Sequence, residues 1–431
     1  MTRYFSAGDL VRQLQQEKHE VRLHVLDEHE IRKQCFDGLV EKSSCWQDEL
    51  EWVGMDGFII FDDSGFGKLQ DELRQQGYTV FGGSEKAESI ELDREYGQRV
   101  FSEHGLTTVP LFDFASPQQA LDFVHENPAR WVIKQNEHLA KDMTYIGHQE
   151  DGSDVTAVLE MYAKDSATMD STIALHRFIE GIEIGVGRYF NGKTWVGPIE
   201  INLEHKRFFP GNLGPMTSEM GTLAWYSDNE DEYLFKKVLE PMKQFLQDAD
   251  FRGDFEINCI VNADGVFPLE ATARLGTPII HVHQEIHQSP WGEFLYAVAR
   301  GEQYNLSWQK GYGIVILLAV PPFPYSSGAH HQNHTLHHTP IYLDNVSHED
   351  RKHIYFEDVS YNKEHDRYHI SGHDGYVGYV ASVAGTVEMA QRKVYDIAEK
   401  IIIPKVMYRN DIGNDFIAWQ YQQLRDWGYL E

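Results

Sequence analysis

Glu256, Asn258 and Glu270 are the residues whose types and spacing point most directly to chemistry. They fall on two β-like runs, FEINCIVN and VFPLEATAR, joined by Ala263-Asp264-Gly265. Two strands folded back at that turn bring carboxylates on one face within a few Å, close enough to share a hard cation with phosphate oxygens. The plain alternative is a solvated acidic face. Lys134 ends the run RWVIK, where Val and Ile partly desolvate an ammonium able to grip a phosphate as a point charge; a lysine snorkelling from a strand end is the competing reading. Arg94 and Lys141 are further cations that such a phosphate clamp can use.

Two other stretches invite a chemical reading. HKRFFPGNLGPMTSEMGTLAW, 205–225, sets three cationic-capable side chains before glycines at 211, 214 and 221, so backbone N–H groups can approach an anion closely. The stretch AHHQNHTLHHT, 329–339, has five histidines between His330 and His338, but no cysteine accompanies them and the spacing fits no zinc pattern. Cys259, within an apolar run, reads as a buried small side chain.

These residues need elements to hold them. VRLHVL, GFIIF and YTVFG alternate with helical patterns such as GKLQDELRQQG over the first hundred residues, which predicts βαβ units and a parallel sheet. Only Arg3 to Ser6 precede the first helix, so the first strand is atypical. Ser116-Pro117 predicts a capped helix start, and Asn191-Gly192 an antiparallel hairpin. A helix is expected over 230–248, a buried strand at Ile314–Val320, and another helix over 387–401. The expected organisation is an α/β domain over 1–90, a second over 91–310 with a lid at about 128–182, and an α+β domain over 311–431.

Composition narrows the function classes. Among 431 residues, 38 Lys plus Arg face 67 Asp plus Glu, a formal net charge of -29 that repels nucleic acid and anionic membranes. Three cysteines at irregular spacing provide no disulfide framework, which fits a reducing compartment, and the first residues lack the apolar core of a secretory signal. The expectation is a cytoplasmic protein without a membrane span, a monomer or homodimer acting on small molecules.

The order of the motifs resembles that of the ATP-grasp ligases, and among them the phosphoribosylamine-glycine ligase (glycinamide ribonucleotide synthetase) family. VIK at 132–134, RFIEGIEIGV at 177–186, HKRFFPGNLGPMTSEMG at 205–221, LEATARLGTP at 269–278 and YRNDIGND at 408–415 stand collinear with that family's motifs. The resemblance implies an ATP-grasp fold, with a truncated α/β domain ahead of it and a small C-terminal α+β domain. It implies ATP and Mg2+, or Mn2+, as cofactors. Arg94, Lys134 and Lys141 would contact phosphates; Arg177, Phe178 and Ile179 would face adenine; Glu183 would hold the ribose. Glu270 would be the main metal ligand, with Glu256 or Asn258 as the second and Thr272 replacing an expected Asn. Arg274, Lys206 and Arg207 would act in catalysis, and Gly214, Thr217, Ser218, Glu219, Gly276 and Arg409 would line the substrate site.

Departures from the family pattern matter as well. The glycine-rich lid has become KQNEHLAKDMT, the GPNTGGMG loop has become GPMTSEMG, and GDPE has become GTPI. The resemblance therefore implies an ADP-forming carboxylate-amine ligase working through an acyl-phosphate, with a small amino acid as donor and an amine other than phosphoribosylamine as acceptor. The family's own reaction is the first alternative, and a catalytically weak nucleotide-binding relative the second.

Overall fold

The computed structural model describes residues 1–26, 32–134, 144–166, 168–325 and 336–430. Lys141, most of the lid sequence and His330, His331 and His334 lie outside the described residues.

Both turn signals become hairpins. Ile182–Asn191 pairs antiparallel with Trp195–Glu204 through Asn191-Gly192, where Gly192 has a φ of 83°. Arg252–Asn262 pairs antiparallel with Gly265–Thr272. The two hairpins lie side by side and continue into one eight-stranded sheet. Its order is Gly265–Thr272, Arg252–Asn262, Ile182–Asn191, Trp195–Glu204, Gly221–Ser227, Tyr312–Ala319, Tyr376–Ala384 and Ile354–Phe356. The strand at 312–319 bonds directly to 221–227, so strands from either side of position 310 share one sheet.

Alternation along these strands separates two faces. Phe255, Ile257, Cys259 and Val261 join Ile184, Val186, Ile201 and Leu203 in the main core, over the helical segment 235–248. Each such side chain contributes about 1.5–3 kcal/mol by leaving water. A one-residue slip would expose the whole set, so the register is held firmly. The opposite face carries the polar residues of the same strands.

The helix expected over 230–248 is broken into a π turn at Phe235–Leu239, a 3-10 turn at Glu240–Met242 and an α-helix at Lys243–Asp248. Pro241 lacks an N–H and cannot continue the regular ladder. The helix Pro117–Glu126 forms as expected, with the Ser116 side chain accepting from the Gln119 N–H. With Ser153–Lys164 it covers a four-stranded sheet ordered Leu111–Phe114, Ile173–Arg177, Trp131–Lys134, Tyr145–Ile146, whose core holds Trp131, Ile133, Leu159 and Leu175. Lys134 ends the third of these strands.

Parallel pairing near the amino terminus is confined to short pairs, Arg22–His24 with Glu41–Ser43 and Phe58–Ile60 with Thr79–Phe81. The first strand is only a bridge between Thr2 and Val25. The helix Val387–Ala398 packs on the central sheet, capped by Thr386. Among the described residues no helix is long and apolar enough to cross a membrane.

Candidate active site

Register places the polar residues in rows across the sheet. Asn258 and Asn202 both pair with Gly185, and Glu256 and Glu200 both pair with Gly187. Cross-strand partners share a face, so the alternating polar positions of IEINLE and DFEIN meet over the two glycines. A Cβ at Gly185 would collide with side-chain atoms of Glu256 and Asn202.

Lys206, just beyond the strand Trp195–Glu204, is the centre of the cluster. Its Nζ lies 2.6 Å from Glu183, 3.0 Å from Glu204 and 3.2 Å from Glu270. Burial pulls its pKa down, but the three carboxylates outweigh burial and hold it well above the usual lysine value. Glu270 is also 4.0 Å from Arg94, which opens the helix Arg94–Glu103 behind an Asp93 cap. Lys206 foremost, with Lys134 and Arg94 and against burial, holds the Glu270 carboxyl well below its ordinary range. Burial pushes Lys134 down to about 8, Arg94 and Lys206 adding to the effect while Glu270 opposes it. A carboxylate among three cations is suited to polyanion chemistry once a nucleotide and its counter-ion redistribute the charge.

The two candidates for second metal ligand stand differently. Asn258 pairs directly with Glu270, whereas Glu256 pairs with Thr272. The Asn258 amide donates to Glu204 at 3.0 Å, leaving Oδ1 buried without a partner among the described residues. Glu256 accepts from Asn202 at 2.8 Å, and burial, with Glu200 and Glu204, pushes its carboxyl well up. An orphaned amide oxygen opposite an ionised carboxylate is a hard-donor pair that fits magnesium, which takes one or two protein oxygens and completes its shell with phosphate and water.

Around this centre, Arg274 is fixed by Glu91, 3.1 Å from its Nε, and donates to the Leu275 carbonyl. Glu91 also accepts the Ala273 N–H. Gly276 packs so closely that a Cβ would strike Ile279. Thr217 bonds twice to the Lys206 carbonyl, and Met220 N–H donates to the His205 carbonyl. Between them Ser218 meets the Tyr376 hydroxyl at 2.7 Å, and Glu219 is 6% exposed with Oε1 unpartnered among the described residues. Burial, then Glu204, pushes the Glu219 carboxyl well up.

Other expected site residues stand apart from the cluster. Arg207 donates to the Gly214 carbonyl at 2.8 Å. Arg409, 1% exposed, is engaged by Asp411, Asn212 and the Arg207 carbonyl, so it anchors the 205–221 loop from inside the protein. At the passage from lid to sheet, Arg177 lies over Trp131, and Phe178 donates its N–H to the Arg130 carbonyl with Ile179 half-buried beside it. Glu204, Asn202 and Glu91 were not singled out in the sequence. The period-two polar positions of IEINLE were the available signal for the first two. Deeper still, Glu200 pairs with His283 at 2.8 Å, and Tyr189 bonds the same ring.

Comparison with known proteins follows this geometry. The family model for the phosphoribosylglycinamide synthetase ATP-grasp (A) domain matches residues 92–279. The phosphoribosylamine--glycine ligase of Halalkalibacterium halodurans is 25% identical over 356 residues, covering 81% of this chain and 80% of that protein. Its counterpart from Streptococcus pyogenes serotype M1 is 23% identical over 384 residues, 86% of this chain and 85% of that one. Among solved structures, phosphoribosylamine--glycine ligase from Thermotoga maritima superposes with a TM-score of 0.70 at 18% identity, covering 95% of this chain and 98% of that chain. The biotin carboxylase domain of Hydrogenobacter thermophilus 2-oxoglutarate carboxylase, solved with MgADP and bicarbonate, gives 0.65 at 12% identity over 94% of this chain and 89% of that one. The chain thus has the fold of these solved ATP-grasp structures, and it is similar over more than four-fifths of its length to phosphoribosylamine--glycine ligases, with residues 92–279 matching their ATP-grasp domain.

Proposed function

We propose that this chain activates a small amino acid such as glycine as an acyl-phosphate at the expense of ATP and joins it to an amine other than phosphoribosylamine. The observation that carries the reading is the arrangement of Lys206, Arg94 and Lys134 about Glu270, with the free Asn258 oxygen opposite. In the first step a carboxylate oxygen attacks the γ-phosphorus and ADP leaves. In the second the amine nitrogen attacks the acyl carbon, the acyl C–O bond breaks, and phosphate departs with the proton lost by nitrogen. Lys134 and Arg94 grip phosphate oxygens, Lys206 holds Glu183 and Glu270 in place, and Arg274, oriented by Glu91, screens the acyl-phosphate. Glu270 and Asn258 would hold Mg2+, which supplies Lewis-acid screening of the phosphate oxygens.

Glu219 carries the departure from the family's own acceptor. A phosphate beside a largely dry carboxyl loses Coulomb energy when that group ionises, and otherwise displaces nothing that favours it. The relatives' reaction remains the second reading, favoured by their collinear match over more than four-fifths of the chain. The domain limits 1–90, 91–310 and 311–431, a monomeric or dimeric state and a cytoplasmic location complete the proposal.

The test is ADP release from MgATP with a panel of amino acids, using hydroxylamine to trap any acyl-phosphate as a hydroxamate. Amines are then compared with phosphoribosylamine generated in place. Hydroxamate with a small amino acid supports the ligase. Efficient glycinamide ribonucleotide formation gives the answer to the second reading. Absence of ADP release and hydroxamate across the panel leaves only a nucleotide-binding protein.

A further inference from the structure

Acids and tyrosines gather about Glu219 near Lys206. Glu219 is held there by its neighbours: Thr217 and Met220 are bonded to the Lys206 and His205 backbone, and Ser218 to Tyr376. Tyr379, on the same strand as Tyr376, donates to Glu357, and Glu219 lies within electrostatic reach of Tyr379, Glu204 and Lys206. Lys206, the cation that acts on Glu219, is engaged with three carboxylates. Glu219 Oε1 therefore remains buried with no donor among the described residues, a state that calls for an explanation such as an occupant.

We infer, on the ligase reading above, that Glu219 receives a cationic nitrogen of the acceptor, so that the acceptor class is a diamine or another amine with a second positive charge at its far end. The attacking nitrogen cannot be the one Glu219 holds. It must reach the acyl carbon with a free lone pair, whereas a nitrogen seated on Glu219 is ion-paired. A phosphorylated or neutral tail leaves the Glu219 oxygen unpaired, and a site built around an unmet polar group discriminates strongly against such analogues.

The test compares 1,4-diaminobutane, n-butylamine and O-phosphoethanolamine as acceptors, by kcat/KM from ADP release with product mass as confirmation. The unmodified protein is expected to favour the diamine over the monoamine at least tenfold. Glu219→Gln is expected to bring that ratio close to one by raising the KM for the diamine, and Glu219→Asp to keep the preference. If Glu219→Gln fails to fold, the ratio in the unmodified protein and in Glu219→Asp decides. Equal use of the two amines, or preference for the phosphorylated one, while hydroxylamine still traps a hydroxamate, overturns the inference and leaves the ligase standing. No hydroxamate with any amino acid removes the ligase reading and this inference with it.

Discussion

Glu270 and Glu219 both feel one lysine, Lys206, and their surroundings drive them in opposite directions. Glu270 faces Lys206, Lys134 and Arg94 and is held ionised far below the ordinary carboxylate range. Glu219 meets burial and the neighbouring Glu204 before any compensating cation, and its carboxyl is pushed well up. Side-chain type therefore says little here. The number of cations each strand or loop delivers decides whether a carboxyl serves as a permanent anion or waits for a positive guest.

The largest effect should come from the ionised carboxyl. Glu270→Gln keeps shape but removes the charge that a divalent ion needs, so turnover should fall by about 10²–10³-fold, the several kcal/mol of a lost Lewis-acid site. Its melting temperature should move by no more than about 4 °C. A variant that melts normally and releases phosphate at most of the original rate would erase the contrast between the two carboxyls.

Next is Lys134→Ala, which removes a charge-assisted contact worth about 1.5–3 kcal/mol, or roughly 10- to 150-fold in MgATP affinity by calorimetry. The pH dependence of the same binding is a smaller effect. Burial holds Lys134 near 8 without nucleotide, and phosphate favours the ammonium, so binding takes up a proton once pH exceeds that value. Affinity should be full below about 8 and fall roughly five- to tenfold by pH 9, whereas Lys134→Arg should stay flat. A flat profile in the unmodified protein would show that Lys134 does not bear on the nucleotide.

The smallest prediction sharpens the Glu219 side of the comparison. Tyr376→Phe removes the hydroxyl that meets Ser218, a bond worth about 1 kcal/mol, and should raise the amine KM about fivefold while leaving MgATP affinity unchanged. A shift in ATP affinity instead would mean that the 214–221 loop serves the nucleotide.

The hairpin holding Glu270 was legible because Ala263-Asp264-Gly265 marks its turn, and the alternating pattern on either side assigns the faces. The choice between Glu256 and Asn258 was not, because a bulge between Asn258 and Cys259 shifts the register in a way no local signal announces. Lys206 could be marked as reactive from HKR, yet its three partners come from separate strands and depend on sheet order. Glu91 was illegible for the same reason: it orients a side chain 183 residues away. The Pro241 break in the 230–248 helix was written in the sequence and went unused there. The parallel pairing predicted from βαβ alternation over the first hundred residues is present there as two short pairs.

Gly185 couples three positions of the site. A Cβ at 185 would press on the ends of the Glu256 and Asn202 side chains, which are hydrogen-bonded to each other, so a substitution there acts by displacing that pair. Gly185→Ala is therefore expected to register first in the Glu256–Asn202 contact, and shortening either partner should ease its effect.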